Sequence, residues 1–435
     1  MKFILTIYLL FFLFQIYSQN RILSKIEMIE DIEIYVGSLN EKHIGLYRYN
    51  TKKEFKLYVD NISKSLPNSL RIQDFYKTIS LINARIRCGH SSVKLHELIK
   101  DKNIYIPFSV YSINNKFYVY HDLTDPYLNI EHKEIISING VSIRNILEEI
   151  RGYIPSDGFN NTRKKQFSEN LFPIYYSRYF ESDSTYTAVL NNKDTINIKA
   201  LNYDKLILTS KERYKNNSIK NLQLINNKQN NYSYLKVSSF YVDTTVFRLK
   251  MDSVFNQIYN NSQSNLIIDL RGNTGGKIIN ENYLLSYLIS KKINTYIKRK
   301  YLIKKRNKHI IYRRDYIINK TKNYKGNVYF LINGYVFSAA SEFSAIAKYY
   351  NLGKFIGEET GGAEEGCNYG KKEVKLPNSR IICTIPYHQS IFKKTKSQKG
   401  RGIQPDYQIV YTKSDYMNST DTVLNFTISL INNSN

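Results

Sequence analysis

Short apolar runs alternate with helical patterns over the part of the chain that follows Tyr234. Short segments rich in apolar residues are typical of buried strands, and they lie at 235–240, 266–270 and 328–332. Apolar residues recur at helical spacing at 246–259, about 280–290 and 341–350. Strands that alternate with helices predict an α/β layer in which the strands are largely parallel and covered on both faces.

A serine turn joins the last of these strands to the last of these helices, in the sequence Phe-Ser-Ala-Ala-Ser-Glu-Phe at 337–343. At the N-terminal end of a helix, backbone N–H groups lack partners and the helix dipole favours negative charge. Such a position can hold an oxyanion and use the hydroxyl of Ser338 as a nucleophile. A serine more commonly caps a helix there, so the turn alone leaves both roles open.

The strand at 266–270 runs into a glycine-rich loop, Arg-Gly-Asn-Thr-Gly-Gly at 271–276. Glycines let the backbone adopt positive φ and come close to a ligand. A nucleotide-binding P-loop needs Gly-Lys-Ser/Thr at a different spacing, and the dinucleotide-binding fingerprint is also unmet. A plain turn at the end of a strand is the structural alternative.

Residues 1–18 have the composition of a secretory signal peptide. Lys2 precedes an apolar run at 3–14, and a small residue, Ser18, stands near the expected cleavage point. The run is short of the roughly 20 residues that a membrane span needs. We therefore expect an exported protein, periplasmic or extracellular, with no integral membrane span after cleavage.

The chain has 435 residues and a formal net charge of +26. That length predicts two or three domains. Basic runs at 298–300 and 304–306 lie in one polar segment without a nucleic-acid-binding motif. Abundant Lys, Asn, Ile and Tyr without Trp are typical of an AT-rich genome. The charge therefore does not predict nucleic-acid binding, and a structural protein of the cell surface is the rival that it motivates.

Three cysteines are too few for a disulfide framework. Cys367 and Cys383 flank a predicted hairpin and could pair in an oxidising compartment, which would leave Cys88 over. No spacing of cysteine and histidine is typical of a zinc site. The sequence therefore predicts neither a metal nor a cofactor.

The part of the chain before Tyr234 divides by pattern. Residues 19–103 are predicted mostly helical, with a helical apolar period at 75–82 and Gly89 as a helix stop. Residues 104–208 alternate apolar and polar residues in short strands. Within them a tight Asn-Gly turn at 139–140 precedes a helix at 144–151. Residues 209–233 are polar and are predicted to be a linker or exposed loop.

Four motifs in order resemble those of the C-terminal processing (tail-specific) serine peptidases, a family that includes tricorn-type enzymes. They are Asp-Leu-Arg-Gly-Asn-Thr-Gly-Gly at 269–276, the serine turn at 337–343, Ile-Gly-Glu-Glu-Thr-Gly-Gly at 356–362 and Gly-Arg-Gly-Ile-Gln-Pro-Asp at 400–406. The run at 234–240 resembles the opening strand of the family's catalytic core. The stretch at 135–141 with its following helix resembles a PDZ-like domain, so the resemblance covers most of the chain.

The resemblance implies an α+β multidomain protein with an α/β catalytic core of the ClpP/crotonase-like type. Its expected parts are a signal peptide (1–18), a helical region carrying His90 (19–103), a β-rich PDZ-like domain (104–208), a linker (209–233) and the catalytic domain (234–435). In this reading the PDZ-like domain binds the carboxylate end of a substrate by adding a strand.

Four residues carry the implied chemistry. Ser338 matches the nucleophile, and the N–H groups of Gly276 and Ala339 match the donors of the oxyanion hole. Ala363 stands where many members have a lysine base, and alanine cannot accept a proton. The tricorn-type branch uses a histidine ahead of the PDZ-like domain, and His90 matches it. An imidazole can take the hydroxyl proton and return it to the leaving amine.

The group that orients the histidine is not assigned. Lys399 stands where the tricorn-type branch has an acid. Nearby carboxylates that are either candidates or simply solvated are those of Glu358, Glu359, Glu364 and Glu365. As nucleophile, Ser341 and Cys88 are weaker than Ser338, and as base His388 is second to His90.

The sequence thus predicts an exported serine-type endopeptidase that acts on proteins or peptides. The alternative is a catalytically inactive peptide- or ligand-binding protein on the same fold, motivated by Ala363 and Lys399.

Overall fold

The computed structural model describes residues 21–95, 104–191, 194–214, 222–303, 308–312, 316–318, 320–392 and 398–433. The predicted signal peptide lies outside these ranges. Among the helices within them, none combines the length and the apolar character that crossing a bilayer requires.

The described part of the chain has these helices: α1 Lys25–Lys42, α2 Lys52–Ser65, α3 Ile72–Arg85, α4 Ile143–Tyr153, α5 Thr162–Asn170, α6 Phe172–Tyr179, α7 Tyr203–Tyr214, α8 Thr244–Asn260, α9 Ile278–Leu285, α10 Ala339–Tyr349, α11 Lys413–Met417 and α12 Thr422–Asn432.

Its strands before residue 240 are β1 Ile22–Ser24, β2 Ser69–Arg71, β3 Ser92–Lys94, β4 Ile104–Tyr105, β5 Phe108–Ile113, β6 Lys116–Asp122, β7 Ile135–Ile138, β8 Val141–Ser142, β9 Thr185–Leu190, β10 Thr195–Lys199, β11 Leu201–Asn202, β12 Leu222–Asn227 and β13 Tyr232–Val237. The later strands are β14 Asn265–Asp269, β15 Ile293–Asn294, β16 Tyr296–Ile303, β17 Lys308–Tyr312, β18 Tyr316–Ile317, β19 Asn327–Ile332, β20 Lys354–Gly357, β21 Asn368–Tyr369, β22 Lys372–Lys375, β23 Ile382–Ile385, β24 His388–Phe392 and β25 Tyr407–Gln408.

Contacts divide the chain into two compact units. The first unit holds the described residues up to Pro155 together with Phe167–Tyr214 and Tyr369–Tyr387. The second unit holds Ser156–Gln166, the described residues from 222 to Asn368, and those from His388 onwards. The predicted domain boundaries, including that of a PDZ-like domain, stay predictions.

The first unit combines helices with short antiparallel sheets. The predicted helix at 75–82 lies within α3, and α4 covers the predicted helix at 144–151. Asn139 and Gly140 have φ of 48° and 78°, so the hairpin between β7 and β8 has the tight turn expected from the sequence. The structure departs from one expectation, because α3 ends at Arg85, before the predicted stop at Gly89.

A hairpin from late in the chain belongs to this unit. β23 pairs antiparallel with both β22 and β3. The carboxylate of Asp31, buried in α1, accepts hydrogen bonds from the N–H groups of Asn378 (3.0 Å) and Ser379 (2.8 Å) at the hairpin's turn. A buried carboxylate is stable only with such partners, so Asp31 links α1 to the hairpin that also pairs with β3.

The second unit contains a six-stranded sheet in the order β12-β13-β14-β19-β20-β25. All its neighbours from β13 to β25 pair in parallel, and β12 is an antiparallel edge strand. Leu266 and Ile268 of β14 pack in the cluster that includes α8, α9 and α10, whereas Ile267 packs with α12 on the opposite face. The predicted parallel, doubly covered α/β layer is therefore present.

The structure departs from the predicted linker at 209–233. The first of these residues close α7, and β12 forms a ladder with β13 that pairs Leu224 with Leu235. β12 is an edge strand with one mostly exposed face, which explains why its polar composition is typical of a loop in the sequence.

Candidate active site

Two loops meet at the carboxyl edge of the six-stranded sheet because β14 and β19 are parallel neighbours. The glycine-rich loop follows β14 and the serine turn follows β19. The N–H of Phe337 donates to the carbonyl of Asn273 at 3.1 Å. A Cβ placed on Gly275 would lie 2.7 Å from Cβ of Ser338 and 2.9 Å from N of Ala339. The structure therefore brings the predicted nucleophile against the predicted oxyanion loop.

Ser338 is the residue before α10 and has a strained backbone, with φ of 53° and ψ of −126°. Positive φ is costly for a residue with a side chain, and such strain is concentrated at functional sites. The carbonyl of Ser338 accepts the N–H of Glu342 at 2.9 Å and so begins the helix. Its side chain makes no capping hydrogen bond, so its hydroxyl does not have the capping role that the sequence left open.

Ser341 has a structural role in the first turn of α10. It is 2 % exposed, and its hydroxyl donates to the carbonyl of Ser338 at 2.9 Å. The Ser341 hydroxyl is thus engaged within the turn, and the choice of Ser338 over Ser341 as the nucleophile stays a prediction.

The backbone of the glycine loop is anchored on both sides of Gly276. Phe240 donates its N–H to Gly275 at 2.9 Å and accepts that of Lys277 at 3.1 Å. Within the part of the chain that the structure describes, neither the N–H of Gly276 nor that of Ala339 donates to another protein group. Two N–H groups on fixed backbone are suited to stabilising an oxyanion beside Ser338.

His90 belongs to the first unit, in the turn between α3 and β3. The N–H of Ser91 donates to the carbonyl of Cys88 at 3.1 Å, and Asn83 of α3 donates its side-chain amide to the carbonyl of Ser91 at 3.4 Å. The hydroxyl of Tyr76 donates to the carbonyl of Val93 at 3.1 Å. His90 is therefore a half-buried residue on a turn that buried side chains hold in place.

The motif at 356–362 packs against the closing motif at 400–406. Glu359 accepts two hydrogen bonds from the Arg401 guanidinium, at 2.9 and 2.6 Å, and one from the N–H of Gly402 at 2.7 Å. Although burial opposes ionisation, these donors hold the pKa of Glu359 below its ordinary value. Glu359 thus joins the two motifs as a buried carboxylate, and it is not solvated.

The other nearby acids differ from one another. Burial raises the pKa of Glu358, which accepts a hydrogen bond from Gln166. Glu364 and Glu365 are 1 % and 7 % exposed, so the solvated alternative does not hold for them either. Both carboxylate oxygens of Glu365 accept the N–H of Gly400 at 3.1 Å.

The two residues that depart from the family pattern, Ala363 and Lys399, differ in exposure. Ala363 is 1 % exposed and pairs with Gly402 across an antiparallel bridge. Lys399 is exposed.

A buried acid pair joins the helices that follow the two loops. Glu281 of α9 and Glu342 of α10 are 0 % and 2 % exposed, and Nη2 of Arg299 lies 3.8 Å from Glu342. Burial, reinforced by the charge of the neighbouring Glu342, raises the pKa of Glu281 well above its ordinary value. Burial also raises the pKa of Glu342.

The sequence did not single out this acid pair or Asn273. The signal for Glu281 and Glu342 is an acidic residue on a helix face that the apolar pattern marks as buried, whereas Asn273 stands in a loop without such a pattern.

All three cysteines are buried free thiols, so the predicted disulfide between Cys367 and Cys383 is not formed. Across the described ranges no group of three or more His, Cys, Asp or Glu side chains is placed to hold a metal ion.

The sequence matches the model of a known protein family. The family model of peptidase family S41 matches residues 231–409, which include the glycine loop, the serine turn and the closing motif. No curated protein matches the sequence.

Solved structures share the fold at low sequence identity. Mature CPAF is 13% identical with a TM-score of 0.65, over 94% of this chain and 98% of that chain. Mature CPAF complexed with lactacystin is 14% identical with a TM-score of 0.67, over 94% and 99%. A structure from Parabacteroides merdae, named as a candidate peptidase, is 14% identical with a TM-score of 0.52, over 94% and 97%.

Proposed function

Because the chain belongs to peptidase family S41 through residues 231–409 and is a serine-type peptidase, we propose that it cleaves exported proteins or peptides with Ser338 as nucleophile and His90 as general base. The observation that carries the proposal is the strained Ser338, which lies against a glycine loop whose Gly276 N–H donates to no group among the described residues. The N–H of Ala339 is the second donor.

The proposed reaction has two halves. Oγ of Ser338 attacks the scissile carbonyl while His90 takes the hydroxyl proton, and the N–H groups of Gly276 and Ala339 stabilise the oxyanion. The C–N bond then breaks as His90 gives the proton to the leaving amine, which leaves an acyl ester on Ser338. Water attacks the ester with His90 again as base, and the free carboxylate and the hydroxyl of Ser338 are released.

The role of His90 is supported by its firmly held turn and by the alanine at position 363, which leaves no lysine base there. Export is supported by the signal-like composition of residues 1–18. A PDZ-like domain that holds the substrate's C-terminus is supported by the pattern at 135–151. A C-terminally amidated peptide should then bind less well than the free acid, and equal binding of the two would remove this part of the proposal.

The test is hydrolysis of casein by the chain without residues 1–18, with labelling by a serine-reactive phosphonate. We expect Ser338→Ala to abolish both labelling and hydrolysis, and His90→Ala to lower hydrolysis by about 10⁴-fold or more. Ser344→Ala is the matched control, because Ser344 is a fully buried serine of α10 whose hydroxyl donates to Ala340 at 2.8 Å. It should still be labelled.

Three outcomes separate the possibilities. An active enzyme that loses activity in Ser338→Ala but keeps it in His90→Ala would exclude His90 as base and turn attention to His388. A folded wild type that neither cleaves casein nor reacts with the probe would favour the inactive binding protein. Full activity in Ser338→Ala would exclude the nucleophile.

A further inference from the structure

Asn273 belongs to the glycine loop and uses both its side chain and its backbone to join that loop to its neighbours. It is fully buried, and its side-chain Nδ2 donates to the carbonyl of Val237 at 3.0 Å, at the end of β13. Its Oδ1 accepts the N–H of Gly275 at 2.8 Å. Its backbone carbonyl accepts the N–H of Phe337, in the serine turn, at 3.1 Å.

These contacts span three neighbouring strands. The N–H of Asn273 donates to the carbonyl of Leu270 at 2.9 Å, so the residue is also hydrogen-bonded to the chain at the end of its own strand. A single residue, through its side chain and its backbone, thus links the ends of β13 and β14 to the turn after β19.

The chemistry of the site explains why such a link matters. Gly275 and Gly276 have φ of 107° and 142°, and glycine backbone has many accessible conformations. Without a fixed partner for the N–H of Gly275, the loop can rotate and carry the N–H of Gly276 away from the reacting carbonyl. Misplacement by about 1 Å is enough to cost about 10²-fold in rate.

The contacts require a carboxamide. Val237 offers a carbonyl, which needs a donor, and Gly275 offers an N–H, which needs an acceptor. Among side chains of this size, asparagine supplies both groups without a charge. An aspartate would place a negative oxygen beside the carbonyl of Val237.

We propose that Asn273 is the positioning residue of the oxyanion hole, whose carboxamide holds the glycine loop where the N–H of Gly276 stabilises the oxyanion. In this role Asn273 acts through Gly275 and Gly276 and is not itself a catalytic group. This inference rests on the proposed function, because it assigns a support to the same site.

The first experiment compares Asn273→Ala with wild type and with Asn265→Ala. Asn265 is the matched control, because it is 2 % exposed, its amide donates to the carbonyl of Asn231 at 3.0 Å, and it begins β14 at the opposite edge of the sheet. For Asn273→Ala we expect kcat to fall by about 10²-fold with KM within about twofold. The inhibition constant of a peptide aldehyde, whose adduct with serine carries an oxyanion, should rise in parallel. Asn265→Ala should show only the loss of thermal stability.

The second variant, Asn273→Asp, leaves no cavity and so tests the idea even if the alanine variant does not fold. A carboxylate repels the carbonyl of Val237, whereas a protonated carboxyl donates to it again. The activity of Asn273→Asp relative to wild type should therefore rise as the pH falls.

The outcomes distinguish the inference from the function beneath it. If the wild type is active, two results would overturn the inference alone. One is that Asn273→Ala keeps the wild-type kcat and aldehyde inhibition constant. The other is that the activity of Asn273→Asp relative to wild type does not depend on pH. A wild type without peptidase activity would overturn the proposed function and the inference with it.

Discussion

Replacing Gly275 by alanine should disable catalysis with little effect on the rest of the fold. The added Cβ would lie 2.7 Å from Cβ of Ser338, 2.8 Å from O of Phe337 and 2.9 Å from N of Ala339. Carbon atoms in ordinary contact are about 3.5–4.0 Å apart. The glycine loop and the serine turn must therefore separate by roughly 1 Å beside the proposed nucleophile.

The expected losses of stability and of activity in Gly275→Ala follow from two separate effects. The φ of 107° at this position strains any L-residue, which costs about 1–3 kcal/mol of stability. The separation removes at least one oxyanion donor from its position, and one donor is worth about 2.7–4 kcal/mol in the transition state. We therefore expect kcat/KM to fall by about 10²–10³-fold, which steady-state hydrolysis of a peptide substrate measures directly.

Gly272→Ala is the matched control from the same loop. Gly272 has φ of 83°, but a Cβ there would meet no atom within 4 Å. It should therefore share the backbone strain, at about 1–2 kcal/mol, without the collision, and keep kcat/KM within a few-fold of wild type. The reasoning would be refuted by near-normal activity in Gly275→Ala, or by equal losses of activity in the two variants while both remain folded.

Two further predictions concern stability. The raised pKa of Glu281 means that its carboxyl binds its proton more tightly in the folded than in the unfolded protein, where 4.5 is the ordinary value. The stability it contributes is therefore complete below pH 4.5 and is lost as the pH rises above that value, so Glu281→Gln should gain stability relative to wild type from pH 5 to 9 in urea unfolding. A difference that does not change with pH would contradict this. In Asp421→Ala, α12 loses its N-cap, which accepts the N–H of Leu424 at 3.0 Å, and Arg271 loses two hydrogen bonds of 2.7 Å. Because the Asp421 side chain is 38% exposed, we expect a loss of only about 1–2 kcal/mol, with kcat unchanged, and a larger fall in kcat would show that α12 affects the site.

Local patterns were sufficient for most of the α/β layer. The predicted strands at 266–270 and 328–332 correspond to β14 and β19, and the predicted helix at 341–350 corresponds to α10. These elements are buried on one or both faces, so their apolar spacing is strong. The polar edge strand β12 has no such spacing, and it was predicted as part of a linker.

The candidate site likewise has features that the local sequence predicts and contacts that it does not. The sequence was sufficient to place Ser338 at a helix start and to place glycines in a loop after a strand, because both depend on neighbours in the chain. It could not predict that Glu359 is buried against Arg401, since the two are far apart in sequence and meet only when the motifs pack. Nor could it predict the partners of Asn273.

The sequence by itself therefore determined the main strands and helices of the α/β layer, the position of the serine turn at a helix start and the resemblance to the peptidase family. Their signals are local, because hydrophobic periodicity and backbone preference act over a few residues. The tertiary structure decided that Ser338 is strained and lies against Gly275, that Glu281 meets Glu342, and that Asn273 joins three strand ends. These contacts form only when the parallel strands align, because their hydrogen bonds and buried charges depend on residues that are distant in the chain.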